Sequence, residues 1–488
     1  MPTINKVSLK EQFFEAKQSA NELIAQGGVS PELKAVITTL LTLMEIVMAV
    51  FLEKTTKKTK SNSGVPSSAT SVDDETSGHK GTKSKGTKSK GPKTNIHDFS
   101  NARTIETIER IQVHSCECCG TDLSNEESHT ITRRTRIDLF FEKTIEYQET
   151  EQKTCPSCRH TTQSQFSSAF QHVKQYGLGL QAFIVNMLCA QMVSLKRVQQ
   201  LLKSILDETL SEATLLKYII KTYKALETWE TKAIRQLLAS KVMHVDETSM
   251  RVDSKNHWVH VCSSGTVTVK KLHVKRGQEA MNDHDIIPRY GGAIVHDCWA
   301  SYFKFESCEH GLCGAHLIRE LTFIVESNGF TWARRMKKLL LITCKSVSRR
   351  KQKKLSQKQF VRVQKIYQKI LSDGQKEMPI QPQPEKKKRG RVAKTDAENL
   401  CERMTKHQIS VLLFANNKHV PFTNNQAERA LRMGKVKQKV SGCFRTQPYA
   451  HAYLRISSYL QTMSAQGYNP LKALQIALNG ELYNQCLD

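Results

Sequence analysis

The stretch that decides the fold runs from residue 242 to residue 297 and begins Val242-Met-His-Val-Asp-Glu-Thr248. Its apolar and β-branched residues predict a strand that ends in the carboxylate of Asp246. Ala293-Ile-Val-His-Asp297 repeats this pattern at the end of the stretch. Between them, two more strands are predicted from Met250-Arg-Val, His257-Trp-Val-His-Val and Val267-Thr-Val-Lys-Lys-Leu-His-Val, followed by a helix at residues 279–290.

Three antiparallel strands, a helix and a fourth strand that ends in an acid are the order of an RNase H-like α/β core with a mixed five-stranded sheet. In that core the first and fourth strands lie side by side. We therefore expect Asp246 and Asp297, 51 residues apart, to converge on one pair of metal ions. His244 and His296 precede these acids and are interpreted as structural residues.

A third acid is predicted on a helix that begins near Thr423-Asn-Asn-Gln-Ala-Glu428. Thr423 or Asn424 would cap this helix, which places Glu428 about one turn inside it. Each carboxylate alone is most simply a solvated end of a strand or helix. Three in this context favour two Mg²⁺ or Mn²⁺ ions, which prefer hard oxygen ligands and catalyse in-line displacement at phosphorus.

The charge of the whole chain predicts what such a site would act on. The 488 residues carry 73 lysines and arginines against 46 aspartates and glutamates, a formal net charge of +27. Such an excess predicts a polyanionic partner, either nucleic acid or an acidic membrane. The most apolar stretch, residues 36–52, is interrupted by Glu45 and is shorter than the ~20 residues that span a bilayer. The first residues lack the apolar run of a signal peptide, so we expect no membrane partner and a cytoplasmic location.

Four cysteines form two Cys-x-x-Cys pairs, Cys116 with Cys119 and Cys155 with Cys158, and 35 residues separate the pairs. Two such pairs flanking predicted strands are typical of a zinc ribbon, in which four thiolates bind one structural Zn²⁺. Cys118 is an alternative ligand, although a glycine after Cys119 makes the 116/119 turn more natural. Such a ribbon either binds DNA or only stabilises a small fold.

Helices are predicted before and after the cysteines. Apolar residues at heptad spacing in residues 9–23 and 33–51 favour a dimerising coiled coil, the alternative being a hairpin packed on its own chain. A lysine-, serine- and glycine-rich stretch at 54–98 cannot bury enough surface to fold and is predicted to be a basic linker. Capped helices within residues 194–238, of which the second is predicted for 213–238, resemble a helix-turn-helix. It would present Lys217 and Lys221 to DNA, the alternative being a helical scaffold.

Basic residues concentrate around the predicted acids. Fourteen lysines and arginines lie between residues 334 and 369, with no acid between Glu326 and Asp373. Helices with so many uncompensated cations favour DNA contact over a solvated face. A proline-rich basic loop at 381–394 is a further predicted backbone contact. The predicted DNA contacts in this part of the chain are Arg334, Arg335, Lys337, Lys338, Arg349, Arg350, Lys351, Arg429, Arg432, Lys435, Lys437, Lys439 and Arg445.

Three blocks of the sequence resemble the DDE transposases of the insertion-sequence-66 family. They are His244-Val-Asp-Glu-Thr with Arg251-Val-Asp, His296-Asp-Cys-Trp-Ala-Ser-Tyr, and Asn424-Asn-Gln-Ala-Glu-Arg-Ala-Leu-Arg-Met-Gly-Lys-Val-Lys-Gln-Lys-Val-Ser-Gly. The resemblance implies that Asp246, Asp297 and Glu428 are the catalytic triad and that each binds Mg²⁺ or Mn²⁺. It also implies an enzyme that cuts the ends of a bacterial mobile element and joins their 3′-hydroxyls to target DNA.

The resemblance extends to further residues and partners. Cys313-Gly-Ala-His316-Leu-Ile-Arg319 resembles the family's Ala-His-x-x-Arg element, which gives His316 a possible auxiliary role and Arg319 a DNA contact. The alternative for His316 is a histidine that packs a helix start against the sheet. The family implies double-stranded DNA and small accessory proteins as partners, in the bacterial nucleoid, while the heptad series favours a homo-oligomer, namely a dimer. Thr423 and Ala430 depart from acids common in the family, but neither is an expected metal ligand.

The chain is therefore expected to be an α+β multidomain protein. The alternatives to a transposase are a non-catalytic zinc-ribbon regulator that binds DNA and an RNase H-like nuclease without strand transfer. The predicted regions are N-terminal coiled-coil helices at 1–53, a linker at 54–98, a zinc ribbon at 100–170, a helical segment at 175–238, a first part of the core at 239–330, a basic helical insertion at 331–410, a second part of the core at 411–446 and a helical tail at 447–488.

Overall fold

The computed structural model describes residues 6–26, 30–55, 107–128, 130–139, 141–378 and 394–480. Most of the predicted linker at 54–98 and nearly all of the predicted loop at 381–394 lie outside these residues. The described chain divides into two compact units, Met1–Thr87 with Glu227–Thr462, and Lys88–Leu226 with Met463–Asp488.

Helices dominate the described residues. In chain order they are α1 Lys6–Ala25, α2 Pro31–Thr55, α3 Leu178–Val185, α4 Leu195–Leu206, α5 Glu212–Ala225, α6 Glu227–Ala239, α7 Gln278–His284, α8 Gly314–Ser327, α9 Thr331–Ser348, α10 Gln357–Glu377, α11 Asp396–Lys406, α12 Gln408–Asn416, α13 Asn425–Ser441, α14 Gln447–Ala465 and α15 Pro470–Asn479. A π-helical turn at Asn186–Ala190 extends α3, and a 3₁₀ turn spans Tyr302–Lys304.

In the described ranges, the strands form two sheets. They are β1 Gln152–Thr154, β2 Thr161–Gln163, β3 Val242–Val252, β4 Lys255–Ser264, β5 Val267–His273, β6 Ala293–His296 and β7 Glu309–Leu312. The larger sheet has the order β5-β4-β3-β6-β7, in which β3, β4 and β5 are antiparallel while β6 runs parallel to both β3 and β7. The predicted α+β class and mixed five-stranded sheet are confirmed, and this order is compatible with an RNase H-like core.

Three predicted element boundaries are wrong. Strand β3 continues for six residues beyond Asp246, because its second half pairs with β4 as a long hairpin. The helix predicted to reach residue 290 ends at His284, because Asp285 adopts a left-handed backbone with φ of 52°. The helix predicted for 213–238 is divided into α5 and α6 where the backbone leaves helical geometry at the buried Leu226.

One face of the sheet is covered by helices α8 to α12. The buried side chains of Leu317, Leu321 and Trp332 lie in a continuous apolar core that also includes Val295 of β6. At Gly374 a Cβ atom would lie 2.7 Å from Cγ of Trp332, so α10 packs on this indole only because the residue is glycine. The core thereby holds the inserted helices against the strands that carry the predicted acids.

Helices α1 and α2 are connected by an ion pair between Lys17 and Glu45. Leu33, Leu40 and Val47 of the predicted heptad series remain more than half exposed. A hairpin within one chain and a seam that a second copy could cover are both consistent with these positions, so the coiled coil stays a prediction. Within the described residues, none of the helices combines the length and apolar character needed to cross a membrane.

Candidate active site

The pairing of β3 with β6 brings two of the predicted acids side by side. The parallel register aligns His244 with Val295, so that Asp246 lies next to Asp297, the residue that follows β6. Adjacent strands are about 4.8 Å apart. Asp246 is only 7% exposed, although an isolated carboxylate normally remains in water. The sheet topology therefore explains why acids 51 residues apart in sequence share one environment.

Backbone amides orient both aspartates. Asp246 Oδ1 accepts a hydrogen bond from the Glu247 amide at 2.9 Å, and Asp297 Oδ1 accepts one from the Trp299 amide at 3.1 Å. Each bond fixes the direction of one carboxylate oxygen and leaves the second oxygen of the group available to a ligand.

Electrostatic repulsion connects the two aspartates with Glu428. Burial raises the pKa of Asp246 well above its usual value, and the carboxylates of Glu247, Asp297 and Glu428 raise it further. Burial also raises the pKa of Asp297, against the opposing influence of the Trp299 amide, Arg276 and Arg403. Carboxylates that repel one another in a buried site are stabilised by a cation placed between them.

Glu428 lies in the first turn of α13, and Asn424 positions this helix. Asn424 is 2% exposed. Its Oδ1 accepts from His244 Nδ1 at 2.9 Å, and its Nδ2 donates to the Val245 carbonyl at 2.8 Å. Asn424 occupies the N-cap position as predicted, but its side chain makes no capping bond because both of its polar atoms bind β3. His244, interpreted from sequence as structural, thus belongs to the hydrogen-bond network that attaches α13 to β3.

Helix α13 packs on the face of β3 that carries Asp246. Gly434 of α13 lies close to Met250: a Cβ atom at position 434 would be 3.4 Å from the methionine Cε. Met250 and Asp246 are four residues apart on one strand and therefore share a face. Further along, Lys435 Nζ donates to the Ser249 carbonyl at 2.6 Å. The ammonium group of this lysine, which was predicted to contact DNA, thus binds the backbone of β3.

A second network next to the aspartates was not predicted from the sequence. The buried Glu247 accepts hydrogen bonds from Arg276 Nε at 2.9 Å and Nη2 at 2.6 Å, and from the Tyr302 hydroxyl. The Arg276 guanidinium lies 4.2 Å from the Trp299 ring and 5.0 Å from the Trp258 ring. Burial and Asp297 raise the pKa of Glu247 to about 7 against the opposing effect of Tyr302 and Arg276. In the sequence, only the adjacent acids at 246–247 could have indicated this network.

A thiol and an imidazole at the start of α8 lie beside Glu428. Cys313 Sγ lies 3.7 Å from Glu428 Oε1, and His316 Nδ1 lies 3.6 Å from the same oxygen. Burial, aided by Arg319, lowers the pKa of His316 to about 4, so the contact with Glu428 is not an ion pair at neutral pH. The residue predicted to have an auxiliary role therefore lies beside the third acid.

Residues 174–452 match the model of a family described as "Transposase IS66 family". The chain belongs to this family. The match covers α3 to α13 and the whole five-stranded sheet, and it ends within α14. No curated protein matches the chain.

Outside the family match, the predicted zinc cysteines of this IS66-family chain lie on two separate tight turns. In the first, the Gly120 amide donates to the Cys116 carbonyl at 2.9 Å; in the second, the Arg159 amide donates to the Cys155 carbonyl at 2.9 Å. Hydrogen bonds to Thr121 lower the pKa of Cys119 to about 7, and the Cys158 amide lowers that of Cys155. Lowered thiol pKa values suit zinc binding. In the described part of the chain, however, no three of these thiols lie within 4.8 Å of one another, and the zinc ribbon stays a prediction.

The predicted DNA contacts of this IS66-family chain differ in their surroundings. Arg319 Nε donates to the Ala315 carbonyl at 3.3 Å, and Arg335 pairs with Asp373 at 2.7 Å, so the insertion is not without counterions. Lys221 Nζ donates to Gln181 at 2.9 Å. Exposed side chains belong to Lys217, Arg334, Arg335, Lys338, Arg349, Lys351, Arg429, Arg432, Lys439 and Arg445, while Lys337, Arg350 and Lys437 are half-buried.

Proposed function

We propose that this chain is a DDE transposase that cleaves phosphodiesters at the ends of its mobile element and joins the 3′-hydroxyls to target DNA. The observation that carries the proposal is the convergence of Asp246 and Asp297 on adjacent strands, in a site where Glu428 also raises the pKa of both. Family membership supports a transposase over a DNA-binding regulator.

The three acids fit divalent cations. Their donor atoms are carboxylate oxygens, which Mg²⁺ and Mn²⁺ prefer. Burial and mutual repulsion raise the pKa of the two aspartates, and a bound cation would offset this repulsion. Asp246, Asp297 and Glu428 would hold two ions. When bound, such a pair activates the attacking oxygen and stabilises the leaving oxygen of an in-line displacement.

The protein's own groups orient this chemistry. The amides of Glu247 and Trp299 fix the two aspartates, and Asn424 fixes the first turn of α13. Arg429 and Arg432 are exposed on the same helix as Glu428, where they would neutralise phosphates that approach the acids. The amides and Asn424 would hold the acids rigidly, and the two arginines would form a positively charged surface along which DNA approaches them.

Further parts of the proposal concern assembly. We assign dimerisation to α1 and α2, DNA contact to α4 and α5 as a helix-turn-helix, and one structural Zn²⁺ to Cys116, Cys119, Cys155 and Cys158. These assignments follow the predicted regions of the chain. Accessory proteins encoded with the element would complete the active complex.

The deciding experiment uses the full chain with a labelled duplex of the element end and an unlabelled target duplex. In Mg²⁺ we expect cleavage at the end and joined products, and in EDTA we expect neither. Cleavage without joining, even from a pre-cut end, would favour a nuclease. Binding without any cleavage in the presence of the element's accessory proteins would favour a regulator.

The exposed side of α10 offers a separate test of DNA binding. Lys358, Arg362, Lys365 and Lys369 follow one another at intervals of four, three and four residues and are all exposed. Replacing all four by glutamine should weaken DNA binding and reduce the slope of log affinity against log salt by up to about 3–4, since each phosphate contact contributes about 0.9. Fluorescence anisotropy at several salt concentrations measures this slope.

The control for this variant exchanges lysine and arginine at the same four positions, which keeps the charge and should keep the slope. A glutamine variant that binds like the unmodified chain at every salt concentration would remove α10 from the DNA interface.

A further inference from the structure

The cluster of Cys313, His316 and Glu428 has features that the proposed transposase chemistry does not use. Its thiol sulfur, imidazole nitrogen and carboxylate oxygen all lie within 4.8 Å of one another. Among the described residues, these are the three metal-ligating side chains whose ligand atoms lie this close together. A thiol and an imidazole are poor ligands for Mg²⁺.

His316 is the strongest indication that this cluster binds a ligand. Its side chain is 6% exposed, and neither Nδ1 nor Nε2 has a hydrogen-bond partner. A buried polar atom without a partner costs about 1–3 kcal/mol, and most such atoms in folded proteins are satisfied. One nitrogen of a neutral imidazole carries a lone pair that a metal ion can accept.

The spacing of the three groups matches a tetrahedral zinc site. Bond lengths of about 2.3 Å to sulfur and about 2.1 Å to nitrogen or oxygen place tetrahedral ligand atoms about 3.4–3.6 Å apart. The observed separations are 3.7 Å from Cys313 Sγ to Glu428 Oε1 and 3.6 Å from His316 Nδ1 to the same oxygen. These two separations need to change by only a few tenths of an ångström, and the sulfur and the imidazole lie within 4.8 Å of each other.

A backbone group already supports the sulfur as a ligand. The Asn424 amide donates to Cys313 Sγ at 3.2 Å, and hydrogen bonds of this kind stabilise a metal-bound thiolate. Without a cation, Cys313 carries the thiol proton that it directs toward Glu428 Oε1. Metal binding would release this proton to solvent, and the thiolate would form a bond to the ion.

We propose that Cys313, His316 and Glu428 form a second metal site, selective for a thiophilic divalent cation such as Zn²⁺, that competes with the catalytic acids for Glu428. Occupation of this site would withdraw Glu428 from Asp246 and Asp297 and so switch off cleavage. The second statement rests on the proposed function, whereas the first does not.

The test of the site measures bound metal. The full chain is equilibrated with Zn²⁺, dialysed against buffer and analysed for zinc per chain, beside the variants Cys313→Ser and His316→Gln. We expect each variant to hold one equivalent less than the unmodified chain, whatever the four cysteines of the predicted ribbon bind. Thermal unfolding without zinc shows whether each variant is folded, and the rise in Tm on adding Zn²⁺ should be smaller in both. Equal zinc content in the unmodified chain and a folded variant would overturn the site.

Should both variants be unfolded, spectroscopy of the unmodified chain still decides the matter. Co²⁺ added with zinc already bound at the ribbon should produce thiolate-to-cobalt absorption bands of one further site, and alkylation of Cys313 should abolish them. Absence of the bands would overturn the proposal.

Inhibition is tested separately. Micromolar Zn²⁺ should reduce Mg²⁺-dependent cleavage by the unmodified chain at least about tenfold, and a chain with Cys313→Ser should resist it. Zinc binding without inhibition would retain the site and overturn its role as a switch. If no cleavage is ever observed, the proposed function fails, while the zinc measurements still decide the site.

Discussion

Asp246→Asn is expected to abolish end cleavage and joining, with rates at least about a thousandfold lower. Asparagine retains an oxygen that can accept from the Glu247 amide, so the position of the side chain is kept. It removes the charge with which the residue would hold a divalent cation. Metal ions contribute several kcal/mol to such reactions, and about 4 kcal/mol corresponds to a thousandfold in rate.

The matched control is Asp253→Asn, in the turn that follows the same strand. Asp253 is exposed and adopts a positive φ of 49°, which asparagine tolerates well. Its cleavage rate should stay within about twofold of the unmodified chain, since a solvated surface charge contributes little. Both variants should bind DNA, as measured by anisotropy. Cleavage by Asp246→Asn at the unmodified rate would remove this residue from the catalytic site.

The same variant gives a readout that needs no DNA. The pKa of Asp246 is raised in the folded protein, so the folded state holds a proton more tightly than the unfolded state. Its contribution to stability is therefore present at low pH and lost as the pH rises through the folded pKa. In EDTA above neutral pH, Asp246→Asn should have a Tm equal to or higher than that of the unmodified chain. Mg²⁺ should raise the Tm of the unmodified chain more than that of the variant.

Local patterns were sufficient to predict the sheet and the pairing of its two aspartates. The short, largely apolar runs at 242–245 and 293–296 predicted two buried strands, and the strand order of the RNase H-like core predicted that these strands pair. The end of α7 was misplaced because Ile286, Ile287 and Tyr290 continue the apolar pattern as loop residues that are nevertheless buried. Apolar periodicity shows that residues are buried but not in which secondary structure. Here the three residues are buried by tertiary packing of a loop.

The contacts that position Glu428 could not be read from local patterns. His244 and Asn424 are 180 residues apart, and nothing in either segment alone indicates that they bond. Glu247 was passed over for a related reason. Alternation along β3 directs it to the face opposite Asp246, where only the folded structure supplies Arg276 and Tyr302 as partners.

Asn424→Ala is expected to lower the free energy of unfolding by about 2–6 kcal/mol, because two buried polar groups lose their partner at about 1–3 kcal/mol each. These groups are the His244 ring and the Val245 carbonyl. The hydrogen bond from the backbone amide of residue 424 to Cys313 Sγ does not involve the substituted side chain and can still form. Urea unfolding followed by circular dichroism measures the change.

The loss of activity should exceed what the loss of stability explains. Asn424 is four residues before Glu428 and attaches the start of α13 to β3, so its removal frees the third acid to move relative to Asp246. A displacement of about 1 Å at a catalytic group can cost about a hundredfold in rate. Cleavage measured at a temperature where the variant is fully folded should fall by at least this factor.

Asn425→Ala is the control for this variant, since the neighbouring asparagine is exposed on the first turn of the same helix. Its stability should change by less than about 0.5 kcal/mol, as is usual for a surface position. If Asn424→Ala were folded, as active as this control and equally stable, the bonds to β3 would not position Glu428. In that case the placement of the third acid would depend on the contact of Gly434 with Met250 and on Phe422, whose ring lies against Gly314 at the start of α8.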